Sequence, residues 1–186
     1  MRKLTFEEIA SKRATLESVG AVAPLPVTVL VESVRSLYNV GSIFRTSDAV
    51  RIEKLFLTGY TPYPPRKEID KTALGATASV PWEYAKDPVA LASRLKNSGL
   101  RLCALELTDH SVPYDRLKPA DFPLCLVIGN ELTGLSTSLL EQCNFAIEIP
   151  MGGIKHSLNV AVAYGVAVFE LARVWRAASG QSKASV

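Results

Sequence analysis

From Val27 onward, short apolar runs alternate with segments of helical character. The runs VTVLVE (27–32), KLFLTG (54–59), LRLCALEL (100–107), PLCLVIGN (123–130) and Phe145 to Pro150 are rich in Val, Leu and Ile and too short for helices, so they read as buried strands. VPWEYA (80–85) reads as a briefer one. Between them, residues 38–50 read as a helix that Asn39 could cap, 71–74 as a short helix, 88–97 as a helix closed by Gly99, and 135–142 as another short helix. The proline-rich stretch 61–70 reads as a loop. Thr5 and Glu8 stand at capping-box spacing at the start of a helix over 4–18. Strands alternating with helices predict an α/β fold: a mostly parallel sheet with helices on both faces.

The last segment breaks the amphipathic rule. After the turn at Met151, Gly152 and Gly153 and the polar residues Lys155, His156, Ser157 and Asn159, no charged side chain occurs before Glu170. A helix apolar on every side must be buried in a core or between subunits. Its small residues, Ala161, Ala163, Gly165 and Ala167, allow another backbone to approach closely. Ser157 or Asn159 could simply cap this helix; a polar cluster at its mouth also has the makings of a site.

In a parallel α/β sheet, ligands bind beyond the carboxyl ends of the strands. Three strand ends here have unusual content: Leu105 to Asp109, Ile128 to Gly134 and Ile149 to Gly153. Neither GxGxxG nor GxxxxGK[ST] occurs, which argues against a dinucleotide fingerprint and a P-loop.

Composition narrows the class. With 48% hydrophobic and 21% charged residues the chain has globular proportions, and its length suits a single domain with residues 1–20 as a helical extension and 178–186 as a flexible tail. The net charge of +3 is compatible with a polyanionic partner without demanding one. The basic N-terminal segment, with Arg2, Lys3, Lys12 and Arg13, reads as a solvated face or as an arm that contacts RNA. Cys103, Cys125 and Cys143 are odd in number and widely spaced, which argues against a disulfide framework or a zinc site and for free thiols. The early acidic pair Glu7 and Glu8 does not suit a signal peptide, and Asn159, Glu170 and Arg173 interrupt the one long apolar segment, so the expectation is a cytoplasmic protein without membrane or metal.

Three stretches carry a specific resemblance: Asn39-Val40-Gly41-Ser42-Ile43-Phe44-Arg45-Thr46, Ile128-Gly129-Asn130-Glu131-Leu132-Thr133-Gly134-Leu135-Ser136, and Ile149-Pro150-Met151-Gly152-Gly153 continuing to Ser157-Leu158-Asn159-Val160. In order and spacing they resemble the motifs of the SpoU, or TrmH, family of RNA ribose 2′-O-methyltransferases in the SPOUT superfamily, over roughly Val27 to Trp175. Lys71 to Pro81, with Gly75-Ala76, resembles that family's middle region. The resemblance implies a C-terminal trefoil knot, a homodimer packed partly through the last helix and the helix after the first motif, and S-adenosylmethionine held in the knot near Leu105, Gly129, Ile149, Met151 and Leu158. It implies tRNA or rRNA as substrate and catalytic roles for Asn39, Arg45, Glu131, Ser157 and Asn159. In the family, the arginine matched by Arg45 contacts RNA phosphate and ribose and serves as the base.

Ribose methylation must position a 2′-hydroxyl, help remove its proton and stabilise the alkoxide. A guanidinium is effectively always charged, so a fork that orients phosphate and stabilises the alkoxide is physically easier for Arg45 than a base. As bare residues, Arg45 could be an ordinary helix-surface arginine, Asn39 only a cap, and Glu131 a solvated loop carboxylate; with the motif, Glu131 could orient Arg45 or another donor. His156 is not required by the motif, and His110 reads as a loop residue. Ala161 stands where many relatives have serine. Arg66 and Lys67 could grip RNA, and Tyr60 and Tyr63 could stack a base, although loop packing suits these tyrosines better. An RNA-binding protein without catalysis and a base methyltransferase are the competing functions.

Overall fold

A computed structural model of the chain describes residues 1–11, 15, 18–21 and 23–180. Seven strands form one sheet: β1 (Leu25–Glu32), β2 (Ile52–Thr58), β3 (Trp82–Ala85), β4 (Arg101–Leu105), β5 (Val112–Pro113), β6 (Leu124–Ile128) and β7 (Phe145–Glu148). Their order is β3-β2-β1-β6-β4-β7-β5, and every pair is parallel. The helices are α1 (Phe6–Ala10), α2 (Leu37–Val50), α3 (Lys67–Ala73), α4 (Ala76–Ser79), α5 (Pro88–Asn97), α6 (Thr137–Leu140) and α7 (Val160–Ala178).

The two-residue period of the strands divides the core between the two faces. Val27, Val29 and Val31 of β1 and Leu124, Leu126 and Ile128 of β6 share one cluster with Phe44 of α2, Ile69 of α3 and Tyr164 and Val168 of α7. Leu30, Cys125 and Val127, pointing the other way, pack with Leu91 and Leu95 of α5 and Leu139 of α6. Burial pushes the thiols of Cys103 and Cys125 upward and that of Cys143 to about 11, so all three free cysteines stay protonated at neutral pH.

Several boundaries differ from the sequence expectation for identifiable reasons. α2 begins earlier: Ser36 is its cap, with Oγ accepting from the N–H of Asn39 at 3.3 Å, so Asn39 lies in the first turn and its side chain is free for other partners. α3 starts at Lys67, inside the expected loop, and no side chain caps it. α1 has the expected capping box between Thr5 and Glu8 but is helical only over Phe6–Ala10; residues 12–14 and 16–17, including the rest of the basic segment, lie outside the described residues. α7 runs to Ala178, into the expected tail, of which 181–186 lie outside the described residues. Ser98 closes α5, with Gly99 after it at φ +96°.

α7 is not buried all round within the protomer. Tyr164, Ala167, Val168, Leu171 and Ala172 face the core, where the Tyr164 hydroxyl meets Ser47 Oγ at 2.7 Å, while Val162 (53%) and Phe169 (52%) stand exposed on the opposite stripe. Among the described residues no helix is long and apolar enough to cross a membrane.

α2 lies tightly against α3, and Gly41 is the reason it can. A Cβ at Gly41 would come within 2.0 Å of Thr72 Oγ1 and 2.3 Å of the Ile69 carbonyl oxygen. Alanine is the better helix former by about 1 kcal/mol, but overpacking at this contact costs about 1–3 kcal/mol. Gly41→Ala is therefore expected to lower the urea midpoint of unfolding; an unchanged or higher midpoint would contradict the packing described.

Candidate active site

The sheet order makes β6, β4 and β7 consecutive neighbours, so the loops leaving their carboxyl ends converge. They enclose a cavity of about 300 Å³, walled by Leu105 and Glu106 after β4, Ile128 to Gly134 after β6, and Ile149, Met151 and the 156–158 stretch after β7. The three strand ends singled out by their sequences thus form one wall.

The loop after β6 is held from several sides. Asn130 and Gly134 exchange backbone hydrogen bonds at 3.1 and 3.0 Å, and Asn130 Oδ1 accepts from the N–H groups of Leu132 and Thr133. Asn130 Nδ2 donates to the Ser33 carbonyl at 2.7 Å and to the Tyr60 hydroxyl at 2.8 Å. Two carboxylates fasten the far end: Glu106 accepts the Leu135 N–H at 3.0 Å, and buried Glu32 accepts the N–H and hydroxyl of Ser136 at 2.8 and 2.6 Å. Both loop glycines are required by space. A Cβ on Gly129 would lie 2.4 Å from the Gly134 carbonyl carbon, and one on Gly134, whose φ is +66°, would lie 2.3 Å from Glu106 Oε2.

Beside the cavity, the motifs join through side chains. Glu131 accepts from the N–H of Arg35 (2.9 Å), the N–H of Ser36 (3.1 Å) and Asn39 Nδ2 (2.9 Å). Asn39 Oδ1 in turn accepts from Asn159 Nδ2 at 3.1 Å, and Asn159 Oδ1 caps α7 through the N–H groups of Ala161 and Val162. Partial burial alone would raise the Glu131 pKa; the bonds from Arg35, Asn39 and Ser36 outweigh it and hold the carboxyl below its ordinary range. A carboxylate so occupied is a poor proton acceptor and a good anchor for Asn39.

All five residues expected at the cofactor, Leu105, Gly129, Ile149, Met151 and Leu158, line the cavity, as do Glu131 and Ser157. Asn39 and Asn159 adjoin it through Glu131. Arg45 is not brought in: it is exposed on α2, outside the cavity lining, and among the described residues it makes no ion pair. Six residues beyond Asn39 on a helix of about 3.6 residues per turn, it must face another way. Glu131 therefore orients Asn39 within this protomer, not Arg45. Tyr63 packs on Tyr84 with centroids 4.6 Å apart, as expected for loop packing.

Glu148 also lines the cavity, without a signal in the sequence; so do Glu106 and Thr133, which lie in the strand-end stretches but carried no role of their own, and His156, which the motif does not require. A carboxylate closing an apolar strand, as in VTVLVE and LRLCALEL, was the available signal for Glu32 and Glu106. Among the described residues no group of three or more His, Cys, Asp or Glu is placed to hold a metal ion.

The cavity's chemistry suits a nucleoside-bearing cation. Leu105, Ile128, Ile149 and Leu158 offer apolar faces for a base, backbone groups of the β6 loop offer hydrogen bonds, and Glu106, Glu131 and Glu148 make the lining negative, which favours a positively charged ligand.

Known proteins resemble this chain in both sequence and fold. Residues 26–169 match the model of the SpoU rRNA methylase family. A TrmH family tRNA/rRNA methyltransferase of Staphylococcus haemolyticus is 31% identical over 149 residues, covering 80% of this chain and 59% of the relative, so the chain spans about three fifths of that protein's length. The tRNA (guanosine(18)-2′-O)-methyltransferase of Aquifex aeolicus is 34% identical, covering 78% of this chain and 68% of the relative. The AdoMet-bound rRNA methyltransferase of Sinorhizobium meliloti superposes with a TM-score of 0.74 at 29% identity, over 81% of this chain and 60% of that one. With a matching family model over most of its length and a parallel sheet whose motif loops close on one cavity, the chain belongs to the SpoU rRNA methylase family.

Proposed function

We propose that the chain is an S-adenosylmethionine-dependent methyltransferase that acts on the 2′-hydroxyl of a ribose in tRNA or rRNA. The observation that carries this reading is the cavity at the ends of β4, β6 and β7, where apolar walls, glycine-permitted backbone approach and a negative lining meet. Leu105, Gly129, Ile149, Met151 and Leu158 would hold the cofactor. Bound there, S-adenosylmethionine supplies a methyl group on a positively charged sulfur, an already activated donor that needs no metal.

The protein's own task is the nucleophile. Ser157 and Asn159 bring hydroxyl and amide groups to the cavity rim, and Asn39 is fixed between Glu131 and Asn159. Glu131 is a positioning residue, since all that it accepts comes from the backbone at the start of α2 and from Asn39. Arg45 orients phosphate and stabilises the developing alkoxide as a charged fork.

Arg45 reaches a site by way of a second copy of the chain. What supports this is that its neighbour Thr46 packs at 4.0 Å from the position of a Cβ on Gly165 of α7, the helix whose Val162 and Phe169 are exposed. Pairing two protomers through this α2–α7 face would cover the stripe and carry each Arg45 towards the partner's cavity. The same reading has the segment after β7 pass through a loop as a trefoil knot, and keeps the protein in the cytoplasm with its RNA.

The direct test incubates the protein and labelled S-adenosylmethionine with separated tRNA and rRNA fractions, digests the product to nucleosides and weighs them. A methyl on ribose supports the proposal; a methyl on a base, or no incorporation, overturns it in favour of a base methyltransferase or an RNA binder. Arg45→Ala is expected to retain cofactor affinity in equilibrium titration and to lose about 10²–10³-fold in turnover; wild-type turnover would remove Arg45 from the mechanism.

The apolar stripe gives a second outcome. Replacing both Val162 and Phe169 by Glu is expected to convert a dimer to a monomer in sedimentation analysis and to abolish methyl transfer while cofactor binding persists. An unchanged sedimentation mass would contradict the α2–α7 interface.

Glu131 gives a third, in pH. Its pKa is lowered in the folded chain from the ordinary 4.5, so its ionised form favours folding; that contribution is complete above the unfolded-state pKa and is lost as pH falls through the folded-state pKa. Glu131→Gln is expected to be less stable than wild type at pH 7, with the gap narrowing in urea melts as pH falls below the ordinary glutamate range. A gap independent of pH would contradict the anchoring role.

A further inference from the structure

Tyr60 is the one large aromatic side chain beside the cavity whose hydroxyl is fixed and whose ring is left in water, among the described residues. The residue is 63% exposed, yet both ends of the side chain are held. The hydroxyl bonds Asn130 Nδ2 at 2.8 Å, and Asn130 is part of the cavity wall. The backbone turn beneath it is rigid: the Tyr84 hydroxyl donates to the Gly59 carbonyl at 2.7 Å, and the Thr61 N–H donates to the Thr58 carbonyl at 3.1 Å. Thr61 itself is buried, its Oγ1 accepting the Val34 N–H at 3.1 Å. Gly59, at φ +64°, leaves room for Ser33 beneath the turn.

A tyrosine free to move would lie down on nearby apolar surface. Tyr63, three residues on, does so against Tyr84 and Trp82. Tyr60 cannot, because its hydroxyl is tied to the cavity wall. An aromatic face held in solvent at low conformational cost is a ready stacking surface. Three exposed cations stand on the adjoining segments: Arg35, whose N–H is bound to Glu131, and Arg66 and Lys67 at the far end of the loop that carries Tyr60; among the described residues none of the three is in an ion pair. An aromatic face amid unpaired cations suits single-stranded nucleic acid, with bases stacked on the ring and phosphates met by the charges.

We infer that Tyr60 is a stacking platform for an unpaired RNA base next to the ribose at the cavity, with Arg35, Arg66 and Lys67 meeting the flanking phosphates. The inference rests on the proposed RNA substrate, and it identifies the substrate as one with an unstacked base, such as a loop or bulge, in place of an uninterrupted duplex.

The test compares Tyr60→Phe, which removes only the bond to Asn130, with Tyr60→Leu, which removes the ring. Binding of the full-length variants to unfractionated tRNA, to rRNA fragments and to a blunt duplex RNA is measured, with titration of S-adenosylmethionine and sedimentation mass as separate readouts. For a platform, Tyr60→Leu weakens tRNA or rRNA binding on the order of 10-fold. Tyr60→Phe and Tyr60→Trp then keep it within about 3-fold, cofactor affinity and mass are unchanged in all three, and wild type prefers the looped RNAs to the duplex. Equal losses in Tyr60→Phe and Tyr60→Leu, accompanied by weaker cofactor binding, would make Tyr60 a brace for Asn130 and overturn the inference. A changed mass in Tyr60→Leu would make it a subunit contact, also overturning it. Wild-type RNA binding without methyl transfer would defeat the proposed activity and leave the platform standing on its own comparison.

Discussion

One chain of hydrogen bonds ties the site together: Glu131 to Asn39, Asn39 to Asn159, and Asn159 to the first N–H groups of α7. Each amide is used at both ends, so turning Asn39 breaks two bonds and turning Asn159 breaks three. The chain spans segments far apart in sequence and fixes where α2 and α7 begin relative to the loop after β6. Because Glu131 also takes the Arg35 and Ser36 N–H groups, its negative charge rests against the positive end of the α2 dipole. The cavity keeps its shape because these links, together with Glu32 and Glu106 on the far side, leave the β6 loop little freedom.

The sheet makes such a chain possible. Placing β6 between β1 and β4 brings the loop after β6 against the start of α2, which follows β1. Placing β7 next to β4 brings the start of α7 to the same point. The parallel arrangement sends every carboxyl end to one side, so residues separated by about a hundred positions meet without a long connection across the sheet. The glycines at 129 and 134 let the loop fold tightly there, and Gly41 lets α2 settle on α3.

Much of this was legible in the sequence. The buried strands announced themselves as runs of Val, Leu and Ile, and the motif glycines sat at their ends. Legibility failed where a tertiary partner decided the outcome. Asn39 reads as a cap because Asn is a good one, but Ser36 takes that place and frees the amide for Glu131. The strand β5 is two residues long and exists only as an edge on β7, too short to leave a pattern. The exposed stripe of α7 is hidden in a sequence that is apolar on all sides, because Val162 and Phe169 are of the same residue types as the side chains that face the core. Glu32 and Glu106 look like ordinary strand ends until the loop they hold is seen.

Asn39 and Glu131 act as one unit, and a double-mutant cycle measures that most directly. Asn39→Ala, Glu131→Ala and the double variant are compared in unfolding free energy and in cofactor affinity. Linked groups are expected to show a coupling of about 0.5–3 kcal/mol, the second substitution costing far less once the first is made. Additivity within about 0.5 kcal/mol in both measurements would contradict the account.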